Sequence, residues 1–179
     1  MKVQKTPLHD ALILEPRVFQ DERGFFLESY SERTFAELGI CERFVQDNHS
    51  FSKQGVLRGL HYQISKPQGK LVRVVSGEIL DVLVDLRRSS PSFGRWYSIR
   101  LSEENHLLAW IPGGFAHGFY VLSESAHVLY KSTDFYFPEF ERTILWNDPD
   151  LAIDWNAKTP ILSTKDEGGV QLRDAEVFD

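Results

Sequence analysis

The 179-residue chain has little of what would assign it quickly. It carries one cysteine, Cys41, which excludes an internal disulfide and any cysteine-rich zinc site. It has no run of about 18 apolar residues to span a bilayer as a helix, and its start, Met1-Lys2-Val3-Gln4, lacks the apolar core of a secretion signal. It has no internal repeat, no low-complexity segment and no basic excess. Lys and Arg number 20 against 26 Asp and Glu, a net charge of -6, so the footprint of a nucleic-acid binder is missing. Together these absences predict a soluble cytoplasmic protein that acts on neither nucleic acid nor membrane. Any cations that matter are local.

What is present is enough apolar material for one substantial core, 42% hydrophobic residues, and the expectation is one domain over 1–179. Short apolar runs recur between turn signals. Leu8–Pro16 is one, closed by Pro16. After the turn Phe19–Gly24, the residues Gly24–Tyr30 alternate, with Phe26 and Glu28 on one face. Ser31–Gly39 has a capping serine, an acidic first turn and a closing glycine, and is predicted to be a short helix. Phe44–Ser50 begins apolar and ends in five polar side chains. Leu71–Val75 and Glu78–Leu86 are expected to be paired strands about Ser76-Gly77. Trp96–Leu101 and His106–Ile111 follow. Phe115–Leu122 and Ala126–Thr133 predict a hairpin, with Val128, Tyr130 and Ser132 on one face. Many short strands, frequent turns and one or two short helices argue an all-β sandwich or barrel. Beyond Pro138, the residues Trp146, Pro149, Trp155 and Pro160 point to an irregular but ordered coat.

The stretch richest in chemistry is Gly55–Lys70, GVLRGLHYQISKPQGK. A side-chain period of two puts His61 and Gln63 on one face, and Gly59 is suited to a bulge that turns Arg58 inward as well. The turn Lys66–Gly69 makes a hairpin that would set Lys70 near His61.

Two segments around these histidines resemble the motifs of the cupins. Pro112–His117 follows the pattern PxGxxH, while His61-Tyr62-Gln63 resembles HxH with Gln63 in place of the second histidine. That departure removes a ligand that a metal cupin needs, so no metal is expected. Read in order, RGFFLESY, FVQDNHSFS, GVLRGLHYQ, QGKLVRVVSGEILDVLVDLR, WIPGGFAHGFYVLS, LYKSTDFY and LSTKDEGG resemble the dTDP-4-dehydrorhamnose 3,5-epimerase family, from about Phe19 to Gly168. The resemblance implies a cupin-type jelly roll, a homodimer whose N-terminal strands cross to the partner, and a dTDP-linked 4-keto-6-deoxyhexose as substrate, with no cofactor. It also implies His61 as base, Asp166 as its orienting partner, Lys70 at the enolate oxygen and Tyr130 as acid. For substrate binding it implies Arg23, Phe26, Glu28, Gln46, Asn48, Arg58, His117, Glu141 and Lys165, with Arg23 and Glu28 reaching the other subunit's site.

Proton removal beside a ketone asks for a base with a pKa near neutrality, a cation where the enolate charge develops, and a weak acid opposite. Without the resemblance, each residue has a plainer reading. His61 would be a buried histidine satisfied by a carbonyl, Lys70 a solvated strand end, Tyr130 core, and Asp166 a loop carboxylate. Four rivals stay open: a C3- or C5-only epimerase, a ketoisomerase on a related nucleotide sugar, a metal-dependent cupin enzyme, and a sugar-nucleotide binding module without catalysis.

Overall fold

The computed structural model describes residues 1–157 and 159–179. Alternating burial sorts its strands, numbered in chain order, into two antiparallel sheets packed face to face. The first holds β1 (Lys2–Lys5), β2 (Leu12–Glu15), β10 (Leu108–Ile111), β7 (Lys70–Ser76), β12 (Ser125–Ser132) and β5 (Gln46–Lys53), in that order across the sheet. The second holds β13 (Glu141–Thr143), β6 (Leu57–Gln63), β11 (Phe115–Val121), β8 (Glu78–Asp85) and β9 (Trp96–Ser102). The remaining pair, β3 (Val18–Asp21) and β4 (Gly24–Leu27), forms a hairpin of its own. Two short helices, α1 (Glu32–Glu37) and α2 (Thr164–Glu167), complete an all-β jelly roll. No helix among the described residues is long and apolar enough to cross a membrane.

Three expected pairings are corrected by this topology. β6 and β7, β7 and β8, and β11 and β12 each follow one another closely in sequence, yet the members of each pair lie in opposite sheets. Their partners come from far along the chain: β12 pairs with β5 and β7, and β11 with β6 and β8. A turn signal marks where the chain reverses, but a few residues bridge two packed layers about 10 Å apart as readily as two neighbours in one sheet. Gly77 makes one such corner at φ +81°, where a Cβ would meet the carbonyl of Ser125 at 2.0 Å.

Three apolar clusters follow from the alternation. Between the sheets lie Ile13, Val72, Val74, Leu83, Phe119 and Val128. On the outer face of the five-stranded sheet, Leu60, Val82, Val84 and Leu86 are covered by Ile144, Leu151 and Trp155 from the C-terminal segment. Asp148 anchors that segment by accepting from the backbone N–H groups of Asp150, Leu151 and Leu172. On the other outer face, Phe35 of α1 packs with Leu14, Leu71 and Trp110.

Candidate active site

At one end of the sandwich the inward faces become polar. Alternation along β5, β7 and β12 turns Gln46, Asn48, Ser50, Lys70 and Tyr130 inward, while β6 and β11 supply Arg58, His61 and His117 from the opposite sheet. These side chains line a pocket of about 340 Å³ that Glu141 and Lys165 help to close. The expected nearness of Lys70 and His61 is therefore real, but it arises across the sandwich and not through a hairpin.

Arg58 reaches the pocket because the β6–β11 register slips between the His61–His117 and Arg58–Phe119 pairs. Gly59 sits at this bulge with φ +120°, and a Cβ there would lie 2.5 Å from the Cα of Gly118 and 2.7 Å from the carbonyl oxygen of His117. Backbone cannot yield as a side-chain tip can. Gly59→Ala is expected to cost about 3 kcal/mol or more, read as a fall in the denaturant midpoint, with pocket activity lost in parallel. The Arg58 guanidinium is held by donation from Nε to Ser52 Oγ at 2.9 Å.

His61 is backed by a buried carboxylate. Its Nε2 lies 2.5 Å from Oδ1 of Asp166, whose side chain is 3% exposed. Asp166 lies on α2 and also accepts from the Ser163 hydroxyl at 2.6 Å and from the Gly59 N–H at 3.2 Å. Burial pushes the Asp166 carboxyl up, but the bonds from His61 and Ser163, the charge of His61 and the Gly59 N–H outweigh it and hold the pKa down at about 2. For His61, burial is the main influence and lowers the pKa. The cations Lys165 and Lys70 push the same way, and Asp166 opposes them. Near neutrality the imidazole is therefore neutral. Donation of Nε2–H to Asp166 leaves the lone pair on Nδ1, the form required of a base.

Lys70 opens β7 beneath the same pocket. Burial, helped by Lys165, draws its ammonium down to about 8, against the opposing charges of Glu141 and Asp81. Tyr130 stands on the lysine's sheet, across from His61. Burial raises its phenol above the ordinary range, the charge of Glu141 adds to this, and Arg58 opposes it. Glu141 itself is held low in spite of its burial by Lys165 at 2.8 Å and the Tyr136 hydroxyl at 2.8 Å. The pocket thus contains a neutral imidazole on one wall and an ammonium and a protonated phenol on the other.

Gln63 shares the strand face of His61 but not its task. Its amide donates to the carbonyls of Lys66 and Phe135 and accepts from the N–H of Phe137, so it pins two loops. Among the described residues, no three His, Cys, Asp or Glu side chains gather to hold a metal ion.

Of the thirteen residues singled out in the sequence, nine line the pocket and Asp166 lies directly behind His61. Arg23, Phe26 and Glu28 are not brought there by their own chain. Arg23 forks onto Asp21 at the tip of the β3–β4 hairpin, Phe26 is 70% exposed, and Glu28 accepts from the Thr34 hydroxyl. Contributors that the sequence did not single out include Tyr136, Ser163 and Asp81, the last bonded to His117 at 2.6 Å. Only Asp81 left a signal. It interrupts the apolar strand Glu78–Leu86 at a position buried to 0% exposure, where an unpaired carboxylate is costly.

Comparison with known proteins places this geometry in context. Residues 5–174 match the family model described as dTDP-4-dehydrorhamnose 3,5-epimerase. The curated dTDP-4-dehydrorhamnose 3,5-epimerase of Pseudomonas aeruginosa is 58% identical, with 99% of each chain covered. The crystal structure of a dTDP-6-deoxy-D-glucose-3,5-epimerase from Legionella pneumophila, in complex with dTDP-4-keto-L-rhamnose, is 51% identical. It superposes with a TM-score of 0.95 over 98% of this chain and 94% of that one. A 3'-monoepimerase from Streptomyces bikiniensis, in complex with dTDP-quinovose, is 32% identical with a TM-score of 0.88 over 94% of this chain and 86% of that one. With a family model spanning nearly its whole length and a full-length relative at 58% identity, this chain belongs to the dTDP-4-dehydrorhamnose 3,5-epimerase family.

Proposed function

We propose that the pocket inverts C3 and C5 of dTDP-4-dehydro-6-deoxy-D-glucose to give dTDP-4-dehydro-L-rhamnose, a step toward L-rhamnose nucleotides, using only side chains of the protein. The observation that carries this reading is the pairing of a neutral, carboxylate-backed imidazole on one sheet with an ammonium and a protonated phenol on the other. Nδ1 of His61 takes the proton from the carbon beside the ketone, and the C–H electron pair passes into the enolate with its negative charge on O4. The Lys70 ammonium stabilises that oxygen. Tyr130 returns a proton to the opposite face of the carbon, and the proton held by His61 then passes through solvent to the Tyr130 phenolate, so that both groups are restored before the next inversion. Each inversion is balanced, with one C–H bond broken and one formed.

The diphosphate is assigned to Arg58 and His117, since a guanidinium fork suits phosphate oxygens. Gln46, Asn48, Glu141 and Lys165 complete the nucleotide-sugar contacts. Arg23, Phe26 and Glu28 are assigned to the site of a second copy in a homodimer. The separateness of the β3–β4 hairpin and the exposure of Phe26, a ring able to stack on thymine, support that assignment.

The test is incubation with dTDP-4-keto-6-deoxyglucose in heavy water, with the label located by NMR. Deuterium at both C3 and C5, together with an L-configured product trapped by a reductase, is the expected result. The 3'-monoepimerase among the relatives makes single inversion the second reading, and label at one carbon alone would establish it. No label with nucleotide bound would leave a binding module or a ketoisomerase. In the same assay Tyr130→Phe is expected to retain exchange while net inversion falls about 100-fold. Equal loss of both would remove Tyr130 from the role of acid.

A further inference from the structure

His61 and His117 face each other across the β6–β11 ladder, and both are backed in the same way. Each turns Nε2 onto a buried carboxylate, Asp166 at 2.5 Å and Asp81 at 2.6 Å. In both rings the Nε2 bond leaves Nδ1 free to act. The functional reading accounts for only the first of these pairs.

Asp81 is otherwise hard to explain. It lies on β8 at a position with Ile79 and Leu83 on its own strand face, is 0% exposed, and has Oδ2 without any hydrogen-bond partner among the described residues. A carboxylate of this kind contributes nothing to an apolar core, where an aliphatic side chain of similar volume is usually at least as stable. A buried carboxylate behind an imidazole does, however, fix which nitrogen faces the ligand and increases the ring's capacity to donate toward an anion. His117 lines the pocket beside Arg58, on the wall assigned to the diphosphate.

We propose that Asp81 is a positioning residue that holds His117 with Nδ1 directed at a phosphate oxygen of the nucleoside diphosphate, making Asp81–His117 the binding counterpart of the catalytic pair Asp166–His61. The proposal rests on the functional reading above. On binding, the ring takes up one proton from water and bridges two anions, donating Nε2–H to Asp81 and Nδ1–H to the phosphate. Asp81 also favours the charged form of Lys70, so its influence extends to the opposite wall.

The test uses Asp81→Asn, which keeps the shape and removes the charge. The Kd for dTDP and the KM for substrate are expected to rise about tenfold, as for outer partners of ligating histidines, with kcat changed less than KM. Asp166→Asn is expected to show the reverse split. A purely structural role for Asp81 would lower stability without dividing KM from kcat. A double-mutant cycle then decides whether the effect passes through the imidazole: in a His117→Ala background, Asp81→Asn should weaken dTDP binding less than about twofold further. Unchanged dTDP affinity in Asp81→Asn, or a full tenfold loss persisting without His117, would overturn the proposal and leave the epimerase reading standing. Failure of the wild-type protein to bind dTDP would overturn both.

Discussion

Replacing His61 by alanine is expected to lower kcat about 1000-fold or more, equivalent to about 4 kcal/mol of transition-state stabilisation. It should also abolish deuterium exchange at both carbons and leave the Kd for dTDP within a few-fold of wild type. The separation follows from where the ring stands. Its Nε2 is committed to Asp166, and in the proposed reaction its Nδ1 meets a carbon-bound proton, which provides no ground-state hydrogen bond to lose. The acid limb of the pH profile carries a second signature. Because burial and the neighbouring lysines draw the imidazole pKa down, protonation disables the base only below the usual histidine range, and kcat/KM should hold into mildly acidic solution. Asp166→Asn should cost less than loss of the ring, since the base would survive with its orientation weakened. A His61→Ala protein that still exchanges deuterium at the wild-type rate would remove His61 from the mechanism.

The second large effect belongs to Lys70. Lys70→Met is expected to reduce kcat about 100- to 1000-fold, the usual loss when a preorganised charge at a developing oxyanion is removed. Lys70→Arg should retain part of the activity. The alkaline limb is the sharper test. Lys70 is drawn from 10.5 to about 8, so its ammonium is present below that value and is lost as the pH rises through it. Activity should therefore decline above about pH 8, and Lys70→Arg should move that limb upward, because a guanidinium stays charged. An alkaline limb unmoved in Lys70→Arg would assign it to another group. Together with His61, this predicts a bell whose two sides belong to opposite sheets.

The sequence by itself determined much of this protein, and for identifiable physical reasons. Period-two alternation is a local property, so the face shared by Val128, Tyr130 and Ser132 and that shared by His61 and Gln63 were legible, whereas Asn48 and Lys70 join Tyr130 on one surface only through the pairing of β5 and β7 with β12. Gly59 announced the bulge that aims Arg58, because a residue without Cβ inside a strand-like run marks a bulge or a close backbone approach. The helix Glu32–Glu37 followed from its flanking Ser31 and Gly39, although the serine caps with its backbone and not with its hydroxyl. Tertiary structure alone decided which strands are neighbours. Turn chemistry specifies a reversal but not its layer, so the expected hairpins became corners between sheets, and Lys70 met His61 across the core. The same limit applies to contacts distant in sequence. Asp166 stands 105 residues beyond His61, and Asp81 36 residues before His117. No local periodicity couples such positions: the pairing of β8 with β11 within one sheet sets Asp81 beside His117, and the packing of α2 against β6 sets Asp166 behind His61.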